Sequence, residues 1–288
     1  MSLYSICSIM IEADSLPKSY DPFLVKDNGH QNAACLKIKQ IETKHKINNY
    51  LKLAALSQMN IWKANSNEYN KLWVYEARNK MCMFSVDRKY LNVEYWRSDA
   101  VDFFERGESS DLLSPFYQLL IECKLVQGGF TVLHSACVEV EGVAYAFTGP
   151  SGVGKSSRAN KWHELLSAEL ISGDRPVIDT RTGRAYGVPW DGKEAIYRNY
   201  SCPLAAVFKV VRSKMTYIKV LSEEEKLQLL CEQTFFPLWD GELAARAMHS
   251  LKQFLRIIPI YELHCDITNE STYEAYNQIT KIIKKRSI

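Results

Sequence analysis

Residues 149–156 read Gly-Pro-Ser-Gly-Val-Gly-Lys-Ser, after the apolar run VAYAFT and before the helix-forming run SSRANKWHELL. This matches G-x-x-x-x-G-K-[ST] at every fixed position and in the strand–loop–helix setting that gives the pattern meaning. The glycines let the backbone curl so that successive N–H groups point inward. The positive end of the following helix adds to the same concavity. Gly149, Pro150, Ser151, Gly152, Val153, Gly154, Lys155, Ser156 and Ser157 are therefore the expected phosphate cradle. Lys155 is its point charge, and the Ser156 hydroxyl is a ligand for Mg²⁺.

What precedes the loop restricts the fold further. The runs TVLHSACVEVE and VAYAFTG meet at Glu141–Gly142, a tight-turn dipeptide that predicts an antiparallel hairpin. In a doubly wound parallel sheet the strand before a phosphate loop has neighbours that arrive through helical crossovers. A hairpin partner predicts instead an α/β domain of α+β character, with a mixed sheet.

The remaining chain divides by pattern. Residues 1–110 carry the β-rich runs LWVYEA (72–77), MCMFSV (81–86) and LNVEYW (91–96), read as antiparallel strands of a smaller N-terminal domain. KHKINNYLKLA is open between strand and helix. The polar stretch RGESSD (106–111) leads to a second domain, 111–288. There SPFYQLLIECKLVQGG reads as a helix with Ser114 as N-cap, Pro115 at its first position and Gly128–Gly129 as its stop. LISGDRPVID reads as one strand ending in acids, TRTGR as a turn, and AAVFKVV, TYIKVL and IPIYELHCD as strands. SEEEKLQLLCEQ, with a capping box at Ser222 and Glu225, ELAARAMHSLKQFLRI and STYEAYNQITKIIKK read as helices.

Composition narrows the classes of function. A net charge of +3 is too small to argue for nucleic acid or an acidic membrane surface. The eight cysteines lack a CxxC pair, which argues against a zinc site or a disulfide framework. The N-terminus has no secretory pattern and no apolar run approaches the ~18 residues of a membrane span. The expectation is a cytoplasmic protein with reduced thiols.

Magnesium needs carboxylates, and the loop has none. Asp174, at the end of the strand after the loop, is the first candidate, as metal ligand and as acceptor of a proton from an attacking hydroxyl. Asp179 is the alternative, with a turn-capping role equally open. His134 lies in phase with Val132, Ala136, Val138 and Val140, so a core histidine and a histidine at the site both fit. The stretch YGVPWDGKEAIYRN (186–199) holds Lys193 and Arg198, either of which could offset charge on a transferred phosphoryl group. It also holds Glu194, a possible second Mg²⁺ ligand. Arg158, one turn into the helix, reads equally as a phosphate contact or a solvated charge.

Taken together, His134 fifteen residues before Gly149, GPSGVGKS, LISGDR, YGVPWDGKE and YRNYSCPLAAV resemble the HPr kinase/phosphorylase and phosphoenolpyruvate carboxykinase group of P-loop kinases over residues 128–280. The resemblance implies ATP and Mg²⁺ as cofactors, Lys155 and Ser156 as their residues, and His134 near the transferred phosphate. It matches Asp174 to the second of two adjacent acids and leaves Gly173 where the first, the family's usual base, would stand. It implies a serine acceptor, free or in a peptide or protein; a possible homo-oligomer is a separate expectation, not one the resemblance carries. A nucleotide-binding module without turnover is the competing class, favoured by Gly173.

Overall fold

The computed structural model describes residues 1–14, 16–26, 36–40, 50–56, 59–64, 71–77, 80–87, 89–97, 109–190 and 195–286. The chain divides into two compact units, Met1–Lys124 and Leu125–Ile288.

The first unit holds an eight-stranded sheet of order β1-β2-β3-β8-β7-β6-β5-β4. Its strands are β1 (Ser2–Ile6), β2 (Ile9–Ala13), β3 (Leu36–Gln40), β4 (Tyr50–Leu56), β5 (Met59–Ala64), β6 (Lys71–Ala77), β7 (Lys80–Val86) and β8 (Asn92–Arg97). The three runs read as antiparallel strands are β6, β7 and β8, paired antiparallel in that order. KHKINNYLKLA resolves to strand where it is described, as β4. Alternate residues Ile11, Ala13, Leu36, Ile38, Val86 and Val93 are buried, the period-2 pattern of a sheet with one covered face.

The division between the units falls within α1 (Ser109–Gln127). This helix starts five residues before the expected Ser114 cap, so Pro115 lies inside it rather than at its first position. There the missing proline N–H removes one rung of the helical ladder. The end is as read: the Gly128 and Gly129 amides donate to Leu125 and Val126 carbonyls, and Gly129 takes a φ of 82°.

The second unit is a mixed α/β structure. Its strands are β9 (Phe130–Val132), β10 (Ser135–Val140), β11 (Val143–Thr148), β12 (Glu169–Ser172), β13 (Val177–Asp179), β14 (Arg184–Tyr186), β15 (Ser201–Arg212), β16 (Tyr217–Val220) and β17 (Ile260–Cys265). Its helices are α2 (Lys155–Leu166), α3 (Glu223–Gln233), α4 (Gly241–Ile257) and α5 (Asn269–Arg286). The sheet runs β12-β10-β11-β15-β14-β13-β9, with β17 on β15 and β16 on β17. The hairpin forms as read: β10 and β11 are antiparallel, with Val140 opposite Val143. Glu141 and Gly142 at φ 53° and 81° make the positive-φ pair of a two-residue turn. On its other side β11 pairs parallel with β15, so the sheet is mixed.

LISGDRPVID is not one strand but two, β12 and β13, parted by Gly173–Pro176. Pro176 has no N–H to give a ladder, and the chain leaves β10 there to pair with β9. The capping box forms, with Ser222 Oγ accepting from Glu225 N at 3.2 Å and Glu225 Oε2 from Ser222 N at 2.7 Å.

Alternation sorts the sheet's residues onto two faces. Ala136, Val138, Tyr145, Phe147, Ala206, Phe208 and Leu263 bury against Trp162 and Ala159 of α2 and Ala275 and Ile279 of α5. Cys137, Ala144, Ala146, Val207 and Ile260 bury against Leu229 and Leu230 of α3 and Leu251 and Phe254 of α4. Among the described residues, Cys7, Cys123, Cys137, Cys202, Cys231 and Cys265 are not joined in disulfides. Among the described residues no helix is long and apolar enough to cross a membrane.

Gly187 marks a close approach within this unit. Its N–H donates to the Tyr200 carbonyl at 2.9 Å, and a Cβ at this position would collide with the Arg198 carbonyl oxygen. Gly187→Ala is expected to lower stability by about 1–3 kcal/mol, the range for forced overpacking, read as a fall in urea midpoint at unchanged slope.

Candidate phosphate-transfer site

Three strand ends meet at one edge of the sheet. The β10–β11 register sets Ser135 opposite Thr148, so the start of β10 lies beside the strand end that becomes the loop. The β10–β12 register sets Cys137 opposite Ser172, and the Ser135 amide extends this pairing by donating to the Asp174 carbonyl at 2.8 Å. His134, Gly149 and Asp174 are thereby neighbours in space. His134 is pinned through its backbone: its N–H donates to Gln233 O at 2.7 Å, and its carbonyl accepts from Thr148 Oγ1 at 2.8 Å.

In the loop, Gly149, Gly152 and Gly154 take φ values of 139°, 77° and 111°, a region that disfavours side chains. Lys155 folds inward, its Nζ donating to the carbonyls of Gly149 at 3.0 Å and Pro150 at 3.3 Å. Burial pulls its ammonium below the ordinary lysine value, and the Asp174 carboxylate opposes that pull. Ser156 Oγ lies 3.5 Å from the Gly173 carbonyl, which brings the hydroxyl beside the segment that carries Asp174. Pro150, Ser151 and Ser157 are exposed, and Val153 and Gly154 are half-buried.

His134 and Asp174 form a pair, Nε2 to Oδ1 at 3.2 Å, with side chains 40% and 39% exposed. The core alternative for His134 is thus not realised. The chain breaks from strand geometry at this residue, between β9 and β10, and the alternation that would bury it stops there. The hydrogen bond from His134 holds the Asp174 carboxyl below the usual carboxylate range, against the opposing effect of burial, and Arg175 and Lys155 add to the lowering. A carboxylate reachable from solvent and oriented by an imidazole can accept a proton from a hydroxyl placed at the loop's mouth.

The other expected residues fall elsewhere. Lys193 and Glu194 lie outside the described residues. Arg198 is not brought to the loop: it donates to Glu169 Oε2 at 3.1 Å and to Leu170 O at 2.9 Å, at the far end of β12 from Asp174. Leu170 stands four positions before Asp174, at most about 13 Å along the chain at strand rise. Asp179 is a turn cap, accepting from Arg181 N at 2.9 Å and Nε at 3.2 Å. Arg158 is neither a phosphate contact nor solvated. It is 2% exposed and anchors α2 by donating to the Asp266 carbonyl and to Thr272 Oγ1 at 3.0 Å.

The sequence reading missed Arg212, whose Nε donates to Val153 O at 3.2 Å and whose Nη2 donates to Gly152 O. Its signal lay in register: Thr148 pairs with Lys209, so a residue three further along β15 runs beside the loop.

The donor set suits Mg²⁺ held by Ser156, Asp174, phosphate oxygens and water, an arrangement that needs only one or two carboxylates. Among the described residues no cluster of three or more His, Cys, Asp and Glu side chains is gathered. No protein-family model matches the sequence, and no curated protein matches it.

The His134–Asp174 contact can be read directly. In a carbon-detected pH titration the Asp174 carboxyl of the wild type is expected to titrate below the ordinary value of about 3.9. His134→Ala removes the principal cause, so the midpoint should move up. An unmoved midpoint would show that the imidazole does not set it.

Proposed function

We propose that this chain is an ATP-dependent kinase of HPr-kinase-like type, moving the γ-phosphoryl group to a hydroxyl of serine, free or within a peptide or protein. The observation that carries the reading is the half-exposed His134–Asp174 pair, set by strand register at the mouth of a glycine-rich loop. A loop alone argues for phosphate binding. An oriented carboxylate beside it argues for deprotonating an acceptor.

In the transfer, the bond from the γ-phosphorus to the bridging oxygen breaks to release ADP, and a bond forms to the acceptor oxygen. The acceptor's proton passes to the Asp174 carboxylate. His134 donates to Oδ1 and fixes the carboxylate's orientation. Lys155 and the loop amides stabilise the charge on the phosphoryl oxygens, and the transition state asks chiefly for such placement. Bound Mg²⁺, held by Ser156 and Asp174, would supply further charge neutralisation of the phosphates. Arg198 has no part here, being committed to Glu169 and Leu170.

Gly173 favours a second reading, a nucleotide-binding module with little turnover, because the family's usual base position carries no side chain. The two readings part in one assay. With Mg²⁺-ATP and serine acceptors, free and peptidic, we expect ADP and phosphoserine in equal amounts. Asp174→Asn should cut the rate by about 10²–10⁴-fold, the usual worth of a general base, while ATP still binds. Binding of ATP without phosphorylation of any acceptor would reject the kinase reading in favour of the module.

A further inference from the structure

The segment that joins α3 to α4, residues 234–240, is tied to the same stretch of chain that carries His134. The His134 amide donates to Gln233 O at 2.7 Å, Leu133 and Thr234 form an antiparallel bridge, and the Phe235 amide donates to Val132 O at 3.0 Å. At a strand spacing of about 4.8 Å, this backbone is an immediate neighbour of residues 132–134. Two further bonds close the segment on itself, from Leu238 N to Phe236 O at 2.9 Å and from Asp240 N to Pro237 O at 3.1 Å. Its surface is therefore set in advance of any binding.

That surface is apolar. Residues 233–239 read Gln-Thr-Phe-Phe-Pro-Leu-Trp and carry no charge. Phe236 packs against the core and Pro237 is buried. Leu238 is 77% exposed, and Phe235 and Trp239, whose rings meet edge to face at 5.9 Å, are half-buried. Single apolar side chains scattered over a surface need no explanation, but three within five residues, bonded to the strand that leads into His134, do. Gln233 Oε1 and Trp239 Nε1 bracket the patch, and each is buried without a hydrogen-bond partner among the described residues. One accepts and the other donates, the complement of a peptide N–H and C=O, and an unmet buried polar group is a cost that a bound partner relieves.

The place of the reacting hydroxyl limits what can lie on this patch. A serine whose Oγ reaches Asp174 keeps its chain neighbours within about 3.3 Å per residue of that point, so a flanking side chain comes within reach of the segment bonded to residues 132–134. Free serine has no flank to place there, and residues 233–239 offer no charged group to its ammonium or carboxylate. Resting on the kinase reading of the His134–Asp174 pair, we infer that the acceptor is a serine in a peptide chain, with a large apolar side chain one or two positions away that docks on Phe235, Leu238 and Trp239.

Steady-state kinetics of the full chain with Mg²⁺-ATP test this. The acceptors are free serine and short peptides with one central serine, carrying leucine or glutamine one or two positions to either side. The best leucine peptide should exceed its glutamine counterpart at least about tenfold in kcat/KM, the worth of burying one apolar side chain. Free serine should be poorer than both. Leu238→Gln alters a side chain that is mostly in solvent, and it should remove most of the leucine preference. Turnover of the glutamine peptide and calorimetric ATP affinity should each stay within about twofold. Equal use of the leucine and glutamine peptides by the wild type would overturn the inference, as would free serine as the best acceptor. So would a Leu238→Gln variant that keeps the full preference or slows both peptides alike. Each of these leaves the kinase reading standing, whereas binding of ATP with no acceptor phosphorylated would reject that reading and the inference with it.

Discussion

One backbone hydrogen bond, from Ser135 N to the Asp174 carbonyl at 2.8 Å, sets the spacing of the whole site. It carries the β10–β12 pairing past the irregularity between Cys137 and Val138 and brings the chain after β12 level with the start of β10. Without it, the turn that carries Asp174 would be held only on either side of that residue, at Gly173 by Ser156 Oγ and at Pro176 by the Leu133 amide. Strand pairing has a period of two, so a slip by one residue would also turn every neighbouring side chain to the wrong face. The chemistry therefore inherits its precision from main-chain geometry.

That geometry is held from behind by an uneven core. On the α2 and α5 side the strands place Tyr145 and Phe147, whose rings lie 5.3 and 5.0 Å from Trp162, with Tyr276 of α5 at 5.4 Å. On the opposite side the same strand offers only Ala144 and Ala146, and the helices supply the bulk through Leu229, Leu230 and Phe254. Trp162 thus seats the helix that starts at Lys155 against the strand that ends at Thr148. Arg158 adds a second anchor through Asp266 and Thr272. The loop between these two elements has little freedom to open.

Much of this could be read from the residues, because its causes are local. The hairpin follows from Glu141–Gly142, the loop from its glycines, and the cap of α3 from Ser222 and Glu225. What escaped depends on pairing between distant segments. Arg212 reaches the loop only because β15 runs parallel to β11, and Arg198 is drawn away because Glu169 and the Leu170 carbonyl lie across from it. LISGDRPVID looked like one strand since its apolar content is continuous. Gly173 and Pro176 break it, and the break is what frees Asp174 to face His134. Pro115 misled in the opposite direction, as α1 simply runs past it.

The turn at Glu141–Gly142 lies at the opposite end of β10 and β11 from the loop, and both residues are exposed. Six residues of strand, about 20 Å, part it from the chemistry, and β12 and β15 grip the hairpin on its two outer sides. Chain length can change there without disturbing register. This tip is where a recognition loop, a tag or new termini could be grafted onto the fold with the site left intact.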